Sequence, residues 1–223
     1  MTTKEYMAAI LHRKLIMEMK YNVDALQKLT DTLFMSHAHH VIYAAPKQKL
    51  SFKDESCSYV YILTKGMVDI RRNSDGVIVF TTKGKALLGL ESIFTGLYFH
   101  HLTCVTESQI IAIDRLAALD LFNAKNSWQA VSVILSQAAE YHYRRDSMVS
   151  GCTTYDIIRN HLEMIWSYPE EDRVNISVFD FILNRTRISR SSLNKVLKDL
   201  TLGGYIYLRR GRLINVVKIP KSY

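Results

Sequence analysis

The sequence predicts an α+β protein in three parts: an antiparallel β barrel behind short N-terminal helices, a long connecting helix, and a C-terminal pair of short helices closed by a β-hairpin. Three observations predict it. Short strand-like runs separated by turn residues fill positions 41–113. A long amphipathic stretch follows at about 127–148, and residues 175–217 read as two capped helices and two alternating runs. A chain of 223 residues is long enough for two ordinary domains, each with a core. Hydrophobic residues at 48% and charged residues at 22% are ordinary for a soluble globular protein, and three prolines with nine glycines argue against low-complexity linkers.

Taken in order, residues 3–20 suit a helix, with Ile10, Leu11 and Leu15 on one face. Asn22 can cap a second helix through Val23, Leu26, Leu29 and Leu33. The His-rich piece around His37, His39 and His40 invites a metal. It leads into a strand-like run, however, with no acid or thiol at ligand spacing, so surface and strand histidines are the better reading. From Val41 to Ile113 the runs 59–63, 68–71, 77–80 and 109–113 alternate with turn signals at Pro46, Asp54, Gly66, Gly76 and Gly84. Strands so spaced, without helices between them, predict a jelly-roll barrel, a shape that often holds a ligand in its mouth.

Residues 115–122 predict a short helix and 127–148 a longer one. In the longer helix Trp128, Val131, Leu135, Ala138, His142, Arg145 and Val149 are spaced as a heptad seam. His142 and Arg145 spoil its second half, so the seam can equally be the face packed on the barrel. The dimer reading is preferred, with Trp128, Val131, Leu135, Ala138 and His142 as contacts, because a helix pair reading a two-fold site needs a partner copy. Ser150, Gly151, Cys152 and Thr153 break the helix. The domain boundaries are therefore set at 1–126, 127–150 and 151–223. Thr153 with Asp156 opens the next helix, whose Ile157, Ile158, His161, Leu162, Ile165 and Trp166 form a core edge; Tyr168 to Asp172 is a surface loop.

Ser177 with Asp180, and Ser189 after a turn near Asn184, each mark a helix start. In the second helix Leu193, Val196, Leu197 and Leu200 share one face, opposite Arg190, Ser191, Asn194, Lys195 and Lys198. After Gly203 and Gly204 come two alternating runs around Arg209, Arg210, Gly211 and Arg212, a hairpin tip with three cations. This is a winged helix-turn-helix with a basic, hydrogen-bonding recognition helix. Of the formal charge of +8, residues 151–223 carry +5, from 12 Lys or Arg against 7 Asp or Glu. From Arg185 onward ten cations face one acid, Asp199, a bias that fits a phosphate-facing surface better than an ordinary solvated one. The competing reading is a small winged domain that binds protein and is basic by accident.

Cys57, Cys104 and Cys152 are odd in number, widely spaced and without a CxxC pair, which fits a reducing compartment; inert thiols are commoner than redox sensors. No apolar run reaches the roughly 18 residues of a membrane span. The first twenty residues mix charges with apolar side chains and do not make a signal peptide. A cytoplasmic location follows.

The order of helices, barrel, long helix, break and winged helix resembles the CRP/FNR transcription regulators over about residues 25–220. The local support is Tyr61 to Ile70, similar to the family's barrel hairpin, and Ile188 to Leu200, similar to its recognition helix. Tyr155 to Arg159, Asn184 to Arg190 with Ser191, and the ending Ile219 to Tyr223 resemble the IprA-type (YaiV-like) winged-helix regulators more closely still. The resemblance implies a cyclic-nucleotide-binding-like barrel, Arg190 as the base-reading arginine, Lys195 as a second basic reader, and Ser189 and Ser192 holding phosphate. Ser191 replaces an acid common in relatives, so the target sequence should differ. The turn lacks the usual glycine, with Asn184 or Arg185 the position to bend.

The barrel departs from the cyclic-nucleotide pattern. Leu90 follows Gly89 where a glutamate is usual, and no arginine appears before Arg115. Burying a phosphodiester without a cation is expensive, so no cyclic AMP response is expected, although His100 or His101 could meet another anion. The cysteine cluster of iron–sulfur members is also missing, and no cofactor or metal is expected.

The sequence thus points to a homodimeric, sequence-specific regulator of double-stranded DNA. Its interface would be Arg187, Ser189, Arg190, Ser191, Ser192, Asn194, Lys195, Lys198, Arg209, Arg210 and Arg212. RNA polymerase is a candidate further partner, and the IprA-type resemblance implies a link to oxidative stress. A protein-binding regulator that binds DNA weakly or not at all is the alternative. No P-loop, catalytic triad or metal motif suggests an enzyme.

Overall fold

A computed structural model describes residues 21–221; the helix read over residues 3–20 lies outside them. The chain divides into two compact units, and the division falls between His142 and Tyr143.

In the first unit, Asn22 caps helix α1 (Val23–Phe34), its Oδ1 accepting from Ala25 N at 2.9 Å. Eight strands follow: β1 (His39–Ala44), β2 (Lys49–Ser51), β3 (Tyr59–Lys65), β4 (Met67–Arg72), β5 (Ile78–Lys83), β6 (Ala86–Leu88), β7 (His100–Cys104) and β8 (Ser108–Asp114). They form two antiparallel sheets, ordered β1-β8-β3-β6 and β2-β7-β4-β5. Strand β3 pairs Val60 with Ile113 and Leu63 with Ile110 of β8. Its residues Val60, Tyr61, Ile62 and Leu63 are all buried, because β3 has protein on both faces; this is why its sequence is a continuous apolar run. The three short or polar strands β2, β6 and β7 were not legible among the sequence's alternating runs. Gly66 joins β3 to β4 at φ 97°, and a Cβ there would strike the Ser108 backbone.

Asp114 caps α2 (Arg115–Ala124), accepting from Leu116 N and Ala117 N at 2.9 and 3.0 Å. Helices α1, α2 and α3 (Trp128–Ser147) then bury Leu29, Leu33, Ala118, Phe122, Val131 and Ile134 against Val60, Ile62 and Ile113 of the sheet. Each such side chain stabilises the unit by about 1.5–3 kcal/mol.

Here the dimer seam needs correction. Val131 is 1% exposed within a single chain. Trp128 stacks on Phe94 with centroids 5.1 Å apart, and its Nε1 donates to Asn123 Oδ1 at 2.9 Å. Val131 is therefore not available to a partner copy, and the Trp128 ring is already engaged within its own unit. Leu135 and Ala138 are half-buried, and His142 is exposed. The heptad spacing recorded an apolar face whose first turn, at Trp128 and Val131, packs on the barrel.

The second unit starts with a full capping box at Thr153 and Asp156 on α4 (Thr154–Ser167). Then come α5 (Glu170–Arg173), α6 (Val178–Leu183), α7 (Arg190–Leu202) and the hairpin β9 (Ile206–Arg209) and β10 (Arg212–Val216). The surface loop read at Tyr168–Asp172 is in part this one-turn helix, begun by Pro169, whose fixed φ suits a helix entry, and acidic in its first turn. The core comprises Ile158, Leu162, Ile165, Val178, Ile182, Leu193, Leu197, Leu200, Ile206 and Leu213. Ile157 and Trp166 are only half-buried; the Trp166 ring lies under the Arg173 guanidinium at 3.9 Å. No helix among the described residues is long and apolar enough to cross a membrane.

His161 is buried, and its Nδ1 donates to Ile157 O at 2.7 Å. Burial, helped by Arg185 and Arg145, pushes its pKa down to about 4 against an ordinary 6.5. Because the folded value lies below the unfolded one, stability is complete above about pH 6.5. It falls as pH drops through that value and levels off below about pH 4, a loss approaching roughly 3 kcal/mol. Urea unfolding of wild type and His161→Phe should therefore show a stability difference that changes across this window and is flat above it.

Candidate nucleic-acid interface

Helix α7 begins where Ser192 N donates to Ser189 Oγ at 3.1 Å. Ser189 Oγ also lies 3.0 Å from Ser191 Oγ and 2.8 Å from Ser192 Oγ. Three hydroxyls thus gather at a helix N-terminus, where outward amides and partial positive charge favour an anion. Ser189, Arg190, Ser191, Ser192, Asn194, Lys195 and Lys198 are all exposed, while Leu193, Val196, Leu197 and Leu200 are buried. The exposed face therefore carries cations, hydroxyls and one amide. The Arg190 guanidinium sits 5.8 Å from the centre of the Phe179 ring, within cation–π range. Phe179, half-buried on α6, was not singled out in the sequence. The signal was there: Val178, Phe181 and Ile182 fill the core, and Phe179 packs at its edge, half-buried.

The turn between α6 and α7 needs no glycine, since no residue from 184 to 189 has a positive φ. Asn184 closes α6 in the right-handed region. Neither it nor Arg185 supplies an unusual bend; Thr186 fixes the turn instead. Its buried Oγ1 donates to Ile182 O at 2.8 Å and accepts from Ile188 N at 3.4 Å. Arg185 is half-buried, its guanidinium 3.9 Å over the Phe181 ring, so this cation packs back on the end of α6. Arg187 is exposed.

The hairpin turns at Arg210 and Gly211, with φ of 51° and 75°. Two consecutive left-handed residues make the type I′ turn that matches the twist of a hairpin. The tip rests on α6: Val178 N donates to Gly211 O at 2.9 Å, and Arg212 Nη1 donates to Val174 O at 2.5 Å. Arg209, Arg210 and Arg212 are exposed. The structure thus brings every DNA-facing residue read from the sequence onto the surface of one unit.

In the barrel, Leu90 is 2% exposed and packs in the core. With its neighbour Glu91, in the 3-10 turn Leu90–Ser92, it lines a cavity of about 230 Å³, together with His100 and His142. The sequence had no reason to single out Glu91. Glu91 is exposed to solvent along its side chain, while the protein packed near its carboxyl pushes it above the usual carboxylate range, partly offset by the amides of Glu91 and Gly89. His101 does not line the cavity. It hydrogen-bonds Asn73 at 2.9 Å, and burial with Lys49 and Arg71 lowers its pKa. No cluster of three or more metal-ligating side chains occurs among the described residues.

Residues 154–221 match the family model described as winged helix-turn-helix DNA binding, and residues 41–125 the one described as cyclic nucleotide-binding domain. The chain shares its fold with the c-di-GMP-responsive global regulator CLP of Xanthomonas campestris (TM-score 0.68, 16% identity, 87% of this chain and 100% of that one). It shares it also with a CRP/FNR-family transcriptional regulator of Thermus thermophilus (TM-score 0.57, 15% identity, 79% and 94%). Its fold is thus the one seen in these regulators, a cyclic-nucleotide-binding-type barrel followed by a winged helix-turn-helix. Among characterised proteins it is similar to the Inhibitor of hydrogen peroxide resistance of Salmonella typhimurium, at 25% identity over 195 residues, 86% of this chain and 93% of the relative.

A non-glycine residue held left-handed costs about 1–2 kcal/mol, and Arg210 is such a residue. Replacing it with Asn, which tolerates that conformation, should raise stability by about 0.5–1 kcal/mol in thermal unfolding.

Proposed function

We propose that the chain is a sequence-specific, DNA-binding transcription regulator that acts as a homodimer in the cytoplasm and serves a peroxide-related response. The observation that carries this reading is the exposed face of α7, where Arg190, Asn194, Lys195 and Lys198 lie beside three N-terminal serine hydroxyls. Arginine can bond O6 and N7 of guanine together, and asparagine can do the same with adenine, so Arg190 and Asn194 are assigned to base edges. Ser189, Ser191 and Ser192 with the helix N-terminus, and Arg187, Lys195, Lys198, Arg209, Arg210 and Arg212, are assigned to phosphate, with Lys195 also in reach of bases. Phe179 holds the Arg190 side chain in one orientation and so sharpens its choice of base. The winged unit would enter one major groove, and a second copy would take the next half-site. The peroxide link rests on the homology to the Inhibitor of hydrogen peroxide resistance, and no enzymatic step is assigned.

Fragments selected from genomic DNA by the purified protein would define the site, and gel shifts on that site and on scrambled probes would separate the roles. Arg190→Ala should cost about 1–3 kcal/mol and relax the preference at one base position. Arg210→Asn should weaken every probe alike, although it leaves the fold more stable. Equal losses on all probes for both variants would remove the assignment of base reading to Arg190.

Salt separates this reading from a protein-binding regulator. With about six phosphates neutralised by each copy, about twelve for the dimer, log K should fall against log salt with a slope near −11. A slope near zero would favour the protein-binding reading.

A further inference from the structure

Strand β1 is the outer strand of its sheet, and its far edge meets no other strand among the described residues. The register shows which backbone groups lie along that edge. In an antiparallel ladder, alternate residues turn their N–H and C=O groups toward a given neighbour. Asp114 N donates to Ala38 O at 3.3 Å, one step beyond the strand in the register that pairs His39 with Ile113. His40, Ile42 and Ala44 therefore bond β8, and His39, Val41 and Tyr43 turn their backbone groups to the open edge. Strand β8 agrees. Arg115 N donates to Ser58 O at 2.8 Å, so Ile113 and Ile111 bond β3, which leaves Ala112, Ile110 and Ser108 for β1. The side chains of the same three β1 residues lie on the solvent face: Val41 is 43% and Tyr43 78% exposed, and His39 is exposed.

Sheets blunt such edges with short strands, lysines, prolines or bulges, because an open edge is a template for pairing. The other three edges of the barrel follow this rule. Strands β2 and β6 are three residues long, with exposed Lys49 in β2 and exposed Lys85 just before β6. Strand β5 pairs across a register shift at Ile70 and Arg71 and ends in exposed Lys83. Strand β1 departs from it. It runs six residues, and its register with β8 is unbroken. From Ser36 to Ala45 the chain has no lysine, arginine, aspartate, glutamate or proline.

We propose that β1 is a self-association edge, through which two copies of this chain join their sheets in antiparallel register centred on Val41. The strand is complementary to itself. A two-fold axis at Val41 sets this residue opposite its own counterpart, and His39 opposite Tyr43 of the other copy. These are the positions whose backbone groups are open, so each exchanges both hydrogen bonds with its opposite. On the solvent face a valine pair is then flanked on each side by an imidazole–phenol pair, a favourable cross-strand combination. No lysine, arginine or carboxylate of either strand meets its like across the axis. This edge gives the proposed homodimer its contact and rests on that part of the functional reading alone; the face of α7 takes no part in it.

The test is sedimentation equilibrium of the full-length protein without DNA. Wild type should self-associate. Val41→Pro removes the N–H at the open edge and keeps the bonds of His40 and Ile42 to β8, and proline is tolerated on an edge strand at such a position. It should lower the association constant at least about tenfold and halve the mass of the largest species. Should that variant unfold, Val41→Lys still decides, because it sets two like charges opposite each other on an exposed face. It should weaken association in the same direction, and more strongly at low salt. A wild type that stays monomeric would overturn this proposal and the homodimer reading together. A wild type that associates no better than either folded variant would overturn this proposal alone and leave the homodimer reading standing.

Discussion

The winged unit depends on the need of one helix to hide a stripe. Leu193, Val196, Leu197 and Leu200 of α7 are buried among Ile158, Leu162, Val178, Ile182 and Leu213. A 13-residue helix would be marginal in water without that burial. Once the stripe is inward, helical geometry leaves no choice about the rest: Arg190, Asn194, Lys195 and Lys198 must point away from the core. The surface chemistry is therefore a consequence of the packing. A substitution that loosened the stripe would blur the position of every cation on the other side.

The caps and the hairpin refine this arrangement at small energies. Ser189 and Ser177 fix where the two helices start, and each cap stabilises its helix by about 1 kcal/mol. Thr186 pins the turn without a glycine, so the angle between α6 and α7 is set by a buried hydroxyl and a carbonyl. At the wing, an arginine occupies a turn position that asparagine or glycine would hold more easily. Backbone strain at an exposed cation is consistent with selection for the charge over the fold, because nothing in the packing of the hairpin demands a long side chain there.

Much of this was legible in the sequence because it rests on local rules. Caps at Asn22, Thr153, Ser177 and Ser189 need only a short side chain and a following amide. The strands containing Tyr61, Ile70 and Ile111 announce themselves by β-branched and aromatic runs between turn residues. What escaped was decided by tertiary neighbours. Strand β7 contains two histidines and a threonine, and only its pairing with β2 and β4 makes it a strand. Glu91 drew no notice beside Leu90, since sequence position does not say that two adjacent side chains line one cavity. The heptad on α3 was a true apolar face whose Val131 packs on the barrel, because spacing records that a face is covered and not what covers it.

The same electrostatic rule acts on the two units with opposite results. A phosphate can be held where cations are exposed and hydrated, since the ion pairs form without the full cost of burial. The winged unit meets that condition with seven exposed lysines and arginines between Arg187 and Arg212. Inside the barrel a phosphate would be tolerated only beside a buried guanidinium or ammonium, and among the described residues that line the cavity there is neither. An anion in the cavity would therefore need a cation from outside these lining residues, whereas the winged unit presents its cations in the open, where a phosphate can reach them without either group leaving water entirely.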